Sequence, residues 1–250
     1  MSEMFHILTQ VTVIPNTNTI KLFTLEIKFN LNERLFLKDP QDSVLGKKII
    51  KSSITLIDEL GFEAFTFRKL AVAINSTEKS IYRYFENKHF LLLFLSSWYW
   101  EWVKYLIEIN SKNIECPGRK LKIAIQNLVN ATDENPGNQY INEHILHKVV
   151  IKEGGKTYHI HDVDDENKAG LFYSYKTLVE KVSDIILEID PKFPYRESLS
   201  SNLFEMANNQ IYFADHLPRL ASISSGKNQN EDLIKMLTFF TFRILGKDID

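Results

Sequence analysis

Cysteine is almost absent: Cys116 is the only one in 250 residues. A single thiol can form neither an intrachain disulfide nor a four-thiolate zinc site, and such poverty fits a reducing, cytoplasmic setting. Glycine and proline are scarce as well, at 9 and 7 residues, which disfavours collagen-like, low-complexity and Gly-rich all-β architectures. No apolar run approaches the roughly 20 residues needed to span a bilayer; the longest, Phe90 to Leu95, is interrupted by Ser96 and Ser97. The opening Met1-Ser2-Glu3-Met4-Phe5-His6 has no basic stretch and no long apolar one, so no secretion leader is expected there and no membrane partner. A net charge of −2 argues against a protein that coats nucleic acid over its whole surface. A glycine-rich phosphate loop, a nucleophile elbow and a His-Glu-x-x-His helix are all missing, so neither an enzyme nor a cofactor is expected.

What is present is an ordinary globular balance, 44% hydrophobic and 25% charged, in a chain long enough for two modest cores. The charge is uneven. Between residues 47 and 90 eight bases stand against five acids, a net of +3 that leaves −5 for the remainder of the chain. Any contact with a polyanion is therefore expected to be local to that segment.

Apolar residues alternate at Phe5, Ile7, Val11 and Val13 and again at Phe23, Leu25, Ile27, Phe29 and Leu31, with turn-forming residues at Pro15 to Thr19 between them. Period two predicts strands, hence an amino-terminal β-hairpin within residues 1–40, with Leu35-Phe36-Leu37 as a third short strand and the apolar face docked on a helical body. After Asp39-Pro40 the period becomes helical. Leu45, Ile49, Ile50, Ile54, Ile57 and Leu60 form one stripe, with Asp42 or Ser43 as start and Gly61 as stop. Further helices are expected over 88–112, 118–133, 139–152, 165–189, 195–215 and 230–246. Pro117, Pro136, Gly154-Gly155, Pro191, Pro194 and Pro218 mark the breaks. The predicted fold is mainly α, in three parts: a hairpin extension 1–40, a helical unit 41–90 and a larger helical unit 91–250.

Residues 66–85 carry the most specific pattern. Two short helical stretches flank Asn75-Ser76, as in a helix-turn-helix. Thr66 can cap the first, Leu70, Ala71 and Ile74 form its inner face, and Asn75 tolerates the left-handed conformation of a tight turn. Ser76 or Thr77 then caps the second, where Ile81 and Phe85 point inward while Lys79, Tyr82 and Arg83 point outward, flanked by Ser80 and Tyr84. Periodicity alone leaves these outward residues open, either to contact with DNA or to simple solvation and packing.

Gly61-Phe62, Phe65-Thr66, Leu70-Ala71, Ser80-Ile81-Tyr82, Tyr84-Phe85 and Lys88 stand at the spacings of the amino-terminal signature of the TetR family, which this segment resembles over about 45 residues. It departs at Asn75, where the family favours glycine, and at Ser76, where a small apolar residue is usual. The resemblance implies a homodimer on double-stranded DNA. Thr66, Arg68, Tyr84 and Lys88 would hold phosphates, and Glu78, Lys79, Ser80, Tyr82 and Arg83 would lie at base edges in the major groove. It also implies that the helix after Lys88 links an effector site to the DNA-binding unit. Trp98, Trp102 and Tyr105 on that helix could line a small-molecule cavity or pack the junction. The late segments 195–215 and 230–246 are candidates for subunit pairing or for core. The run His159, His161, Asp162, Asp164 and Asp165 and the pair His144 and His147, three apart on an expected helix, are metal-capable, but no full ligand set at a recognised spacing is visible, so no metal is expected and the run reads as a polar, acidic loop. The expected function is a ligand-responsive transcriptional repressor on a palindromic operator. The alternative is a helix-turn-helix scaffold that binds protein and not DNA.

Overall fold

A computed structural model describes residues 27–131 and 140–247, and every regular element among them is a helix. In order these are α1 (Val44–Leu60), α2 (Phe67–Ala73), α3 (Glu78–Ile81), α4 (Lys88–Ser111), α5 (Pro117–Asn130), α6 (Glu143–Glu153), α7 (Val163–Lys168), α8 (Tyr173–Ile189), α9 (Arg196–His216) and α10 (Gln229–Ile244), with short 3-10 turns between some of them. α4 has buried residues on all sides, from Leu91 to Ile107. A helix apolar all round belongs inside, and α5, α6 and α8 surround it, with α9 packed on α8 and α10 on α5 and α9. α1, α2 and α3 sit at its amino-terminal end and share one continuous core with it. No helix among the described residues is long and apolar enough to cross a membrane.

Several ends follow from local chemistry. Ser43 caps α1, its Oγ accepting the Gly46 N–H at 3.1 Å, and Gly61 ends the helix with φ of 75°. Gly46 has a second role. A Cβ there would fall 2.2 Å from the Pro40 carbonyl oxygen, so glycine alone lets the turn Pro40–Asp42 lie across α1.

The expected amino-terminal β-hairpin is not part of this fold. Residues 1–26, which would hold its first strand and turn, lie outside the described residues, but the described part of the second strand, 27–31, forms no ladder. It runs as an extended strap with Ile27, Phe29 and Leu31 buried and Asn30 exposed. The period of two is real, but its cause differs. An extended chain laid in a groove between helices buries every other side chain just as a strand does. The Gln41 side chain takes the role of a ladder partner, accepting the Phe29 N–H at 3.3 Å and donating to the Phe29 carbonyl at 2.9 Å. The third strand expected at Leu35-Phe36-Leu37 is instead preceded and overlapped by a 3-10 turn, Glu33–Leu35, capped by Asn32.

The single helix expected over 165–189 is two. Gly170, at φ of 77°, ends α7 with its own N–H on the Asn167 carbonyl (3.0 Å) and the Leu171 N–H on that of Glu166 (3.1 Å). This is a Schellman closure, which redirects the chain into α8. The Asn32 amide donates to the carbonyls of Ala169 and Gly170 at 3.1 and 2.9 Å, tying the strap to this corner.

Candidate nucleic-acid interface

Thr66 starts α2, its Oγ1 accepting the Lys69 N–H at 3.2 Å. The helix closes at Asn75, the only non-glycine residue with positive φ among those described, at 51°. There the Asn75 N–H reaches the Val72 carbonyl at 3.1 Å and the Ser76 N–H that of Ala71 at 2.9 Å, the same closure seen at Gly170. Asparagine is the side chain that best tolerates this conformation after glycine, so the departure from the family pattern leaves the turn intact. Lys48 of α1 reinforces it by donating to the Ile74 carbonyl at 2.7 Å. Thr77 then caps α3, accepting the Ser80 N–H at 3.2 Å and touching the Ser80 hydroxyl at 2.9 Å.

Ile81 and Phe85 are fully buried, and Phe85 meets Phe94 of α4 edge-on at 5.5 Å. On the other side Glu78, Lys79, Tyr82 and Arg83 are exposed, as are Thr66 and Arg68 at the start of α2, and Ser80 is half-buried. Tyr82 is 48% exposed, and its ring stands edge-on against Phe67 at 5.0 Å. That contact sets the first turn of α2 beside the end of α3, so the exposed residues of both helices share one surface. A capped, hydroxyl-bearing and cationic face of this kind can reach phosphates and base edges.

Two of the expected residues face inward. Tyr84 is 4% exposed; its hydroxyl shares a 2.8 Å hydrogen bond with Ser43, and its carbonyl accepts the Leu37 N–H at 2.8 Å. Lys88 donates to the carbonyls of Phe62 and Glu63 at 2.9 and 3.2 Å and lies 4.6 Å from the Phe62 ring centre. Both therefore brace the loops that carry the exposed face.

The helical body grips this unit through contacts that no local pattern announces. Glu153, at the end of α6, accepts the Phe62 N–H at 3.0 Å, while Lys156 bridges Glu153 at 2.8 Å and Glu63 at 3.0 Å. Lys156 bonded to both carboxylates is held above the ordinary lysine range, chiefly by Glu153. His89 meets Glu166 of α7 at 2.8 Å.

On α4 the aromatic residues divide by face. Trp98, Trp102 and Tyr105 stack in series at 6.1 and 5.8 Å, and Phe29 of the strap meets Trp98 at 5.2 Å and Tyr105 at 6.3 Å. Trp102 donates to the Ala131 carbonyl at 3.2 Å. That face is filled by the chain itself, and Tyr105 also borders a cavity of about 550 Å³ with Glu108, Lys112 and Lys181. The opposite face carries Trp100, whose ring packs on Tyr175 of α8 at 5.0 Å and Phe204 of α9 at 5.9 Å. Tyr175 is a wall of a cavity of about 640 Å³ between α8 and α9. Sequence reasoning missed this face because α8 and α9 are distant in the chain and show no motif. A third feature of the body is the Tyr99 to His147 pair, hydrogen-bonded at 2.6 Å. Burial pushes the imidazole down to about 3 and the phenol well up, so both are neutral. Among the described residues no three metal-capable side chains gather into one group.

Residues 49–93 match the family described as bacterial regulatory proteins, tetR family. No curated protein matches the chain in sequence. Among solved structures, the fatty acid degradation regulator FadR from Bacillus halodurans is similar at a TM-score of 0.55 and 19% identity, with 80% of this chain and 93% of that one covered. AibR in complex with isovaleryl coenzyme A and operator DNA gives 0.54 at 13% identity, over 78% and 97% of the two chains. The superantigen PfiT also gives 0.54, at 14% identity over 81% and 97%. At such identities the likeness speaks for fold alone, and the three names show that one fold serves different ends. The sequence match rests on the helix-turn-helix itself: over residues 49–93 the chain is similar to the amino-terminal domain of the bacterial regulatory proteins of the tetR family.

Proposed function

We propose that the protein is a sequence-specific DNA-binding transcriptional regulator, a ligand-responsive repressor that works in the cytoplasm as a homodimer on a palindromic operator. One observation carries the reading: the exposed Lys79, Tyr82 and Arg83 on and just after a capped α3, set in a segment of net +3 in a chain whose remainder carries −5. In this reading residues 41–90 form the DNA-binding domain and 91–250 the sensing and pairing domain. Glu78, Lys79, Ser80, Tyr82 and Arg83 meet base edges, Thr66 and Arg68 meet phosphates, and Tyr84 and Lys88 hold the loops in register beside the backbone. Pairing through α9 and α10 would cover exposed Tyr195, Tyr212, Phe239, Phe240 and Ile244, and the two α3 helices would then address half-sites about 34–36 Å apart or a multiple of that distance. The structure of AibR with both a coenzyme A ester and operator DNA supports an effector acting from the body on the DNA-binding unit.

The test is binding to the upstream region of the protein's own gene as a function of salt. Affinity should fall steeply with ionic strength, and Arg68→Ala should flatten the logarithmic slope by about one unit if it neutralises a phosphate. Lys79→Ala should cost about 1–3 kcal/mol at one base position and relax specificity there. Absence of any salt-sensitive, sequence-dependent binding would replace this reading with that of a helix-turn-helix scaffold.

A further inference from the structure

We propose that the cavity between α8 and α9 accepts a lipophilic organic cation, and that this is the chemistry of the effector. The inference rests on the ligand-responsive reading above and adds the class of ligand.

The volume, about 640 Å³, lies within the range of roughly 300–1,000 Å³ that small-molecule sites occupy. Tyr158, Phe172 and Tyr175 contribute aromatic rings to its lining, together with Val179. Most of its hydroxyls are already occupied within the protein. The Tyr158 and Tyr175 hydroxyls both donate to one oxygen of Glu205, at 2.8 and 3.3 Å, so their protons are already committed. Ser183 donates to the Val179 carbonyl at 2.8 Å and Ser201 to that of Ser198 at 3.3 Å. The protons of four lining hydroxyls are thus spent within the protein, and aromatic rings attract cations through their π faces.

The charges point the same way. The lining holds three carboxylates, Glu180, Asp184 and Glu197, against two cations, Lys176 and Arg196. Arg196 is paired with the Glu197 carboxylate, donating to it at 2.6 Å, while Lys176 is hydrogen-bonded to the neutral Asn167 and keeps its charge, so the lining carries a net charge of −1. Glu180 and Asp184, one turn apart on α8, have no hydrogen bond or ion pair among the described residues, although both lie within the electrostatic reach of Arg196. An aromatic cavity of net negative charge with two uncommitted carboxylates at its rim is suited to a delocalised or alkylated cation that carries its own apolar surface.

Occupancy has a route to the rest of the molecule. Tyr175 packs on Trp100 of α4, and α4 begins at Lys88, beside α3. A ligand seated against Tyr175 that favours one setting of α4 shifts the unit that α4 carries.

Tetraphenylphosphonium and tetraphenylborate have nearly the same size and shape and opposite charge, which isolates the sign. Titration of the full chain with each, read by calorimetry and by quenching of its three tryptophans, should show the cation binding about tenfold or more tightly, a difference of about 1.4 kcal/mol. In the double variant Glu180→Gln, Asp184→Asn, whose altered side chains are both exposed and paired with nothing, that preference should fall to about threefold or less while the melting temperature stays put. Equal binding of the two ions, preference for the borate, binding of neither, or a cation preference unchanged in the double variant would each overturn the proposal. Operator affinity measured without any probe decides the regulator reading separately. If operator is bound and tetraphenylphosphonium binds but does not weaken it, the effector half of the proposal is overturned and the regulator reading stands.

Discussion

The α2–α3 surface and the α8–α9 cavity carry the two halves of the proposed function, and they are built by opposite means. The surface is made of near neighbours. Thr66 caps with Lys69, Thr77 with Ser80, and Asn75 closes onto Val72. The cavity is made of residues far apart: Tyr158 and Tyr175 converge on Glu205, and Trp100 is held between Tyr175 and Phe204. Local construction gives a part that a short signature can specify. Distant construction lets the lining change without breaking any motif.

Breaking the core beneath the surface should have the largest effect. Phe85 is fully buried against Phe94, and Phe85→Ala should cost about 3–5 kcal/mol. If the two regions are as separable as their construction suggests, denaturant unfolding followed by far-UV circular dichroism will show an early phase for the helix-turn-helix ahead of the body. A single shifted transition would mean that the continuous core makes them one cooperative unit.

The body offers a sharper handle through pH. His147 titrates near 3 inside the fold and near 6.5 when free, so the unfolded chain takes up a proton between those values and the folded one does not. The stabilisation is therefore complete above about pH 6.5 and declines as pH falls toward 3, by at most about 1.4 kcal/mol for each pH unit. His147→Gln should remove this contribution, read as the difference in slope between wild type and variant in unfolding free energy against pH. A slope unaltered by the variant would contradict the buried neutral pair.

The smallest effect tests the one local device that both regions share. Asn75→Ala should cost about 1 kcal/mol, since alanine resists positive φ. Gly170→Ala should cost more, because its Cβ would also stand 3.1 Å from the Asn32 amide that ties down the strap. Thermal melts of the two variants compare them directly.

These differences also explain what could be read in advance. Thr66 as a cap, a cap at Asp42 or Ser43 and another at Ser76 or Thr77, Gly61 as a stop, Asn75 as a left-handed turn, and Ile81 and Phe85 as inward residues all follow from signals within a few positions of one another. Where partners lie far away the signal fails. Alternation at Ile27, Phe29 and Leu31 correctly marks an extended chain with one side buried, yet it does not say whether the cover is a neighbouring strand or, as here, the rings of Trp98 and Tyr105. Trp98, Trp100 and Trp102 look alike in sequence. Only the strap and α8 decide which face of α4 is sealed and which adjoins a cavity. Glu153 gives no hint, as a glutamate closing an amphipathic helix, that it will clasp the Phe62 amide.

The strap has a consequence for how the molecule is assembled. Residues 27–32 are made early on the ribosome, but what they dock on comes later: Trp98 and Tyr105, then Tyr140, whose hydroxyl donates to the Ile27 carbonyl at 3.4 Å, and finally the Ala169–Gly170 corner. Closing so long a loop is slow compared with forming helices. The first of these segments to emerge is thus among the last to find its place, and until it does, the indoles of a nascent molecule stand open to chaperones.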